Sequence, residues 1–397
     1  MHKVRFYNLK KIINMEKLQK LTWLMVLLVG SSTSMAVAQS GHALMSEDGP
    51  ESMLRVGISF EARGAYDCKN YYAAPAFGPA VVPMRSDVDN KKRSLFDITN
   101  ATLNVEKELP LAGGESMKLV VQADLRENVA LKSVYADFKG FRVGKAVSNF
   151  CDPDACGLVG GRFVQVRWQH QPSASLNYTL AIEGAPDLVI YPEVEEADRA
   201  TRGLQPHKNV PAVSANVRYE QGASWHVQVG GLFRFLEYRN TNTREDIYIP
   251  TYGVSISTAL QLVPERSTFS LQGVYGQGIG NYMADLGALQ KEVNAVYATG
   301  GDTSKRETLD AIGVGAGITH NWLPELRSEA AYRFISTTDN KRSQDAYRYG
   351  HAASVNLFYY PTEQIRIGTE YLFCVRKNIG GEPKDAHRVQ AVIGFEL

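Results

Sequence analysis

Apolar and polar side chains alternate through almost the whole chain from residue 52 onward. About sixteen segments show it: 52–67, 94–107, 116–125, 131–138, 140–147, 161–171, 175–183, 209–219, 224–237, 247–261, 267–279, 306–320, 325–336, 347–360, 364–376 and 386–397. A period of two gives a β-strand two chemically different faces. Helical period is scarce, and many segments are longer than the strands of soluble domains. The connections alternate as well. Short ones fall at 108–115, 139, 172–174, 220–223, 262–266, 321–324 and 361–363. Long polar ones fall at 68–93, 148–160, 184–208, 238–246, 280–305, 337–346 and 377–385, with only 126–130 short among them. Tight turns at one end and long loops at the other predict an all-β fold, a membrane-spanning antiparallel β-barrel of 16 strands over residues 52–397.

The last ten residues, RVQAVIGFEL, stay within this pattern. Val389, Ala391, Ile393, Phe395 and Leu397 share one face, while Arg388, Gln390, Gly394 and Glu396 share the other. A barrel has to close the edge of its first strand, and a last strand with a lipid face and a wet face does so. Leu397 stands where such barrels usually end on an aromatic residue, and Phe395 is expected to take part of that role. Tyr66, Tyr219, Trp225, Tyr275, Trp322, Tyr332, Tyr359, Tyr360 and Tyr371 cluster near segment ends, as girdles at the lipid–water boundaries would.

The front of the chain reads as a signal peptide. Lys17 and Lys20 precede an apolar run, Leu21 to Val29, and Ala36-Val37-Ala38 forms a small-residue cleavage box. The run is too short to span a bilayer. Met15 offers a second possible start. Residues 1–38 are expected to be removed, leaving 39–51 as a short N-terminal segment. The rest carries 37 basic and 41 acidic residues, a net charge of −4. No bulk positive charge invites nucleic acid, and no later window is apolar enough for a spanning helix.

If the polar faces line a lumen, strand parity turns Arg126, Arg142, Arg167, Arg218, Arg234, Arg333 and Arg366 inward, together with Arg55, Arg63, Lys118, Arg327 and Arg388. The acids of like parity are Glu61, Asp67, Asp124, Glu329 and Glu370. A basic lumen concentrates anions, and guanidinium clamps carboxylates through paired hydrogen bonds. Arg142 and Arg167 draw most attention, because their strands flank the 148–160 connection. That connection, SNFCDPDACGLVG, is the third at the long end and is expected to fold inward as a constriction loop, carrying Ser148, Phe150, Asp152 and Asp154. Cys151 and Cys156 bracket its turn, and in an exported chain a local disulfide is the expected use. Cys68 and Cys374 lie at the long-loop ends of their strands. No metal and no cofactor is expected. The acidic 184–208 loop reads as a solvated surface. His226 on a polar face is the one opening for a barrel hydrolase, yet no nucleophile motif accompanies it. GVGAGITH, residues 313–320, reads as a strand whose glycines ease curvature or packing at a subunit face.

The run KSVYADFKGFRVGKAVSNFCDPD (132–154) holds a hairpin followed by Gly144, Ser148, Phe150 and Asp152 in a G-x-x-x-S-x-F-x-D pattern. With GRFVQVRW (161–168), residues 213–238, 269–286 and 351–373, and the final HRVQAVIGFEL, it resembles the DcaP-like trimeric outer-membrane porins over nearly the whole chain after residue 38. The resemblance implies a sixteen-stranded, homotrimeric diffusion channel in a Gram-negative outer membrane, surrounded by lipid and lipopolysaccharide. Relatives are linked to uptake of small anionic solutes, dicarboxylates included. The expected function is therefore passive diffusion of small hydrophilic solutes with a preference for anions, and no enzymatic activity. The alternative is a non-transporting barrel that serves as a structural or surface-interaction module. Open-channel conductance separates the two.

Overall fold

The computed structural model describes residues 54–69, 77–84, 93–126, 129–155, 157–184, 204–206, 210–289, 295–297, 306–337 and 344–397. The expected signal peptide, the 39–51 segment and most of loop 184–208 lie outside these residues. Sixteen antiparallel strands form the barrel. They are β1 (Leu54–Lys69), β2 (Arg93–Leu111), β3 (Glu115–Asp124), β4 (Ala130–Phe138), β5 (Phe141–Val147), β6 (Arg162–Ser173), β7 (Leu176–Glu183), β8 (Ala212–Gln221), β9 (Trp225–Asn240), β10 (Glu245–Val263), β11 (Ser267–Gln277), β12 (Asp310–Leu323), β13 (Leu326–Thr337), β14 (Tyr347–Thr362), β15 (Ile365–Asn378) and β16 (Lys384–Glu396). Each pairs with its neighbours in sequence, and β1 pairs with both β2 and β16, so the sheet is closed. Closure leaves no strand edge to be satisfied in lipid. Leu204–Pro206 adds a short extension to β9, and Ala295–Tyr297 with Arg306–Thr308 forms a separate small hairpin.

The strand limits depart from the expected segments by four residues at most. Alternation sorts the faces as read. Val164, Val166 and Trp168 are exposed on the outside, while Gln165 is buried on the lumen side. Tyr66, Tyr219, Tyr275, Trp322, Tyr332, Tyr359 and Tyr371 are all exposed, as girdle positions should be. Tyr360 has the opposite parity to Tyr359 and falls on the lumen side, a departure from the expected girdle. Lys139 and Gly140, both at positive φ, make the tight turn from β4 to β5. A Cβ on Gly140 would lie 2.6 Å from the Gln169 carbonyl oxygen, so the close approach of β6 adds a second demand for glycine.

The seam answers why alternation runs to the final residues. Leu397 exchanges backbone hydrogen bonds of 2.8 Å in both directions with Ile58, and Phe395 packs on Phe60 at 6.5 Å between ring centroids. On the inner side Arg388 forms a two-pronged pair with Asp67, Nε–Oδ1 2.6 Å and Nη2–Oδ2 3.0 Å, with both side chains essentially inaccessible. Wall height is uneven. β5 has 7 residues and β10 has 19, and the connection leaving β5 leans across the lumen toward the taller wall.

Candidate functional site in the lumen

Loop 148–160 is held at its root by one buried carboxylate. Glu183, at the end of β7, accepts from Ser148 Oγ (2.8 Å), the Asn149 backbone amide (2.8 Å) and Ser214 Oγ (2.6 Å). Asn149 is gripped further, because Asn216 Nδ2 donates to its carbonyl oxygen at 2.8 Å and to its Oδ1 at 2.9 Å. The loop then crosses to the far wall over a bed of small residues. Gly253, Gly276 and Ala311 are cross-strand partners on β10, β11 and β12. A Cβ on Gly253 would lie 3.1 Å from both Phe150 Cζ and Ile279 Cγ2, which is why the fully buried Phe150 ring fits there.

At the tip, Asp152 Oδ2 accepts from Ser257 Oγ (2.6 Å) and lies 2.9 Å from His226 Nε2, while its Oδ1 takes the Asp154 amide and Arg218 Nη1. Burial alone would raise the Asp152 carboxyl, but Ser257, His226 and the Asp154 amide outweigh it and hold the group below its ordinary value. Arg218 also binds Asp154 (2.7 Å) and Glu220 (3.0 Å). Ligand atoms of Asp152, Asp154 and His226 converge within 4.8 Å, a spacing that could hold a metal ion. The Arg218 guanidinium already lies on both carboxylates, so the chain supplies its own cation there. Ser257 is bonded to the carboxylate and not to the imidazole, which is not the nucleophile–base order of a hydrolase. His226 thus serves here to anchor a loop.

The returning half of the loop meets a second inward segment that the sequence did not reveal. After β11 the chain forms a 3₁₀ turn, Gly280–Tyr282, and one helical turn, Ala284–Gly287. Gly160 N donates to the Tyr282 carbonyl oxygen at 2.8 Å, Ala284 N to that of Leu158 at 3.1 Å, and Leu158 N to Gln272 Oε1 at 3.0 Å. Phe150, Leu158, Val159, Tyr282, Met283 and Leu286 bury one another inside the barrel, together with wall residues such as Leu232 and Ala311. Met283 and Leu158 fill the space above Gly313, so this glycine of the GVGAG run faces the lumen and clears room for loops, where packing at a subunit face was one expectation. Burial raises the Tyr282 phenol, with Arg234 opposing. A third segment enters from the first long connection. Arg388 lies over the Phe77 ring (5.1 Å), Arg376 Nη1 donates to the Ala80 carbonyl oxygen (2.8 Å), and Val82 packs on Cys374 and Ala386. The sequence left open whether 68–93 covers the mouth or contacts a neighbour; its described part, 77–84, folds into the lumen.

Every arginine singled out is placed on or beside the lumen, but most have acidic partners. Arg142 holds Asp137 with two bonds (2.6 and 2.7 Å) and lies 4.0 Å over the Tyr135 ring. Arg126 sits at the rim on Asp124 (2.7 Å). Arg333 binds Asp285 (3.1 Å), whose carboxyl is raised by burial against the pull of Arg333. Arg366 binds Glu61 and lies over Phe358. Arg234 is fully buried against the Gly278 carbonyl oxygen and the Tyr282 ring. The lumen, expected to look basic, is of mixed charge. Asp97 and Asp137 also face it from strands, where parity counting missed them, and Asp152 and Asp285 face it from inward segments. Arg167 is the exception. It stands directly across from Arg142 in register, and its one hydrogen bond among the described residues goes to neutral Gln169 (3.3 Å).

Cys151 is a free thiol donating to the Val159 carbonyl oxygen, and burial beside Asp152 pushes it up to about 11. Cys156, its expected disulfide partner, lies outside the described residues. Cys68 and Cys374 are free as well.

A comparison with family models matches residues 92–378 to Porin_2, the porin subfamily. The chain belongs to that subfamily. Among solved structures, this porin resembles the outer membrane channel DcaP of Acinetobacter baumannii, with TM-score 0.73 and 17% identity over 89% of this chain and 99% of that one. It resembles an anion-selective porin from Comamonas acidovorans with TM-score 0.57 and 9% identity over 87% of this chain and 100% of that one. OmpT of Vibrio cholerae follows, with TM-score 0.52 and 10% identity over 87% and 99%. At such identities the likeness shows the fold. No curated protein sequence matches. The fold is that of outer-membrane barrels, whose outer wall faces lipid.

Proposed function

We propose that this porin is a passive diffusion channel of a Gram-negative outer membrane that favours small hydrophilic anions, dicarboxylates among them, and carries out no catalysis. The observation that carries the reading is the Arg142–Arg167 juxtaposition, two guanidinium groups on paired strands of which Arg142 alone is bonded to the Asp137 carboxylate. Elsewhere several wall arginines, among them Arg218, Arg333, Arg366 and Arg388, are paired with carboxylates. Here one positive charge is left over for a solute carboxylate, which guanidinium can hold through two parallel bonds. Residues 1–38 act as the export signal, and the long-loop end faces outside. The working form is a homotrimer. Supporting it, Phe96 stands 86% exposed on the outer wall beside a groove of about 1100 Å³ whose lining includes Ala62, Gly64, Ile98, Ala391 and Ile393.

Reversal potential across a salt gradient tests the reading. The parent is expected to favour anions, and Arg167→Ala and Arg142→Ala to weaken that preference. Cation selectivity in the parent would reject it. One observation favours the second reading, a barrel that does not conduct: three inward segments bury apolar side chains in the lumen, two of them in one cluster and the third in another. Absence of single-channel current in a planar bilayer would decide for it.

A further inference from the structure

The outer wall carries the same small constellation twice. On β13, Tyr332 and Phe334 point outward, and His351 on β14 stands opposite Phe334. The Tyr332 hydroxyl bonds His351 Nδ1, and the imidazole packs on Phe334 at 4.9 Å and Tyr349 at 5.4 Å. One hairpin further on, Tyr371 and Phe373 of β15 face His387 of β16. The Tyr371 hydroxyl is 2.6 Å from Nδ1, and Phe373 is 5.0 Å from the ring. Both sites lie near the long-loop end, where aromatic residues meet lipid headgroups.

The two copies differ at the other ring nitrogen. A hydroxyl donating to Nδ1 leaves the imidazole proton on Nε2. In the second copy Nε2 lies 2.9 Å from Asp385 Oδ2, so the donor is spent and a negative charge stands beside it. In the first copy no described group takes the His351 Nε2 proton. One row nearer the loops, Lys377 stands opposite Tyr349, diagonal to His351, whose own partner is Val375. Lys377 Nζ rests on the Gly381 carbonyl oxygen, and no described carboxylate neutralises it. Its stem can lie along the wall while the ammonium reaches headgroup level.

We propose that Tyr332, Phe334, Tyr349, His351 and Lys377 form a seat for a phosphorylated glycolipid of the outer leaflet. His351 Nε2–H and the Lys377 ammonium donate to a phosphate oxygen, a charge-assisted pairing. Phe334, Phe373 and Val375 meet the acyl chains below. The His387 copy is not a seat, because Asp385 repels phosphate and occupies the donor. The inference rests on the reading that the long-loop end faces outside.

Native mass spectrometry of the purified porin in detergent tests it, with bis-phosphorylated lipid A as the probe beside its dephosphorylated form and phosphatidylglycerol. The parent and His387→Ala are expected to hold the phosphorylated glycolipid equally. His351→Ala and Lys377→Gln should each weaken it, and the double variant should do so by about tenfold. Equal binding by parent and double variant would overturn the seat. So would equal binding of the dephosphorylated form, which points to apolar contact alone, or of phosphatidylglycerol, which points to any anionic lipid. Bilayer current from the same preparations keeps the two readings apart. A silent parent that still selects the glycolipid rejects the channel and keeps the seat, and a conducting parent without that selectivity does the reverse.

Discussion

The carboxylate of Asp152 lies 2.6 Å from the hydroxyl of Ser257, a contact between a loop tip and a barrel wall 105 residues further along the chain. Removing it in Asp152→Ala leaves Ser257 and His226 without their shared acceptor, while Arg218 keeps Asp154 and Glu220. An unmet buried partner costs about 1–3 kcal/mol, paid here by the loop and not by the barrel. Single-channel recordings should show larger and noisier current steps, while the folded barrel keeps its retarded gel mobility without heating.

Acid should mimic that substitution. The Asp152 carboxyl is held below its ordinary value, so its contribution is complete above the free aspartate value of about 3.9 and is lost as pH falls through the folded value. Current noise is expected to stay flat from neutral pH to about pH 5 and to rise below about pH 4. A parent whose noise is unchanged there would show that the tip is held without the carboxylate.

Asp67 and Arg388 make a different prediction. Both are buried at the seam. Asp67→Ala takes the carboxylate away from the buried Arg388 guanidinium and should cost about 3–5 kcal/mol, whereas a paired apolar replacement of both residues should cost much less. The temperature at which the barrel loses its folded gel mobility measures the difference.

Cys151 should be a poor nucleophile. With its thiol raised to about 11, alkylation at pH 8 is expected to run roughly a hundredfold slower than in the denatured chain. Reaction only after reductant would instead reveal the bond to Cys156.

The wall could be read because lipid outside and water inside enforce a strict period of two. Segment 131–138 became Ala130–Phe138 for that reason. Alternation does not mark where one strand stops and another begins, so 306–320 merged Arg306–Thr308 of a side hairpin with β12, which starts at Asp310. Strand parity placed Arg142, Arg167 and Arg333 correctly, but their charge balance depended on Asp137 and Asp285, set by register and by a folded loop. Ser148, Phe150, Asp152 and Asp154 were reached through the family resemblance and the place of their loop as the third long connection. Glu183, Ser257 and Gln272 were not, since only the closed barrel brings them to the loop. A usable signal for the other inward segments did exist. Val82, Met283 and Leu286 belong to apolar stretches within their connections.

The anchors of the tip and returning half of loop 148–160 are supplied late in the chain. His226 follows Asp152 by 74 residues, Ser257 by 105, and Gln272 follows Leu158 by 114. During synthesis and export the tip therefore has nowhere to dock until most of the wall has arrived. Contacts so distant in sequence form slowly and after local hairpins. The aperture is consequently the last dimension of the molecule to be fixed, and a partly assembled wall would present an unlatched loop for quality-control proteases to cut.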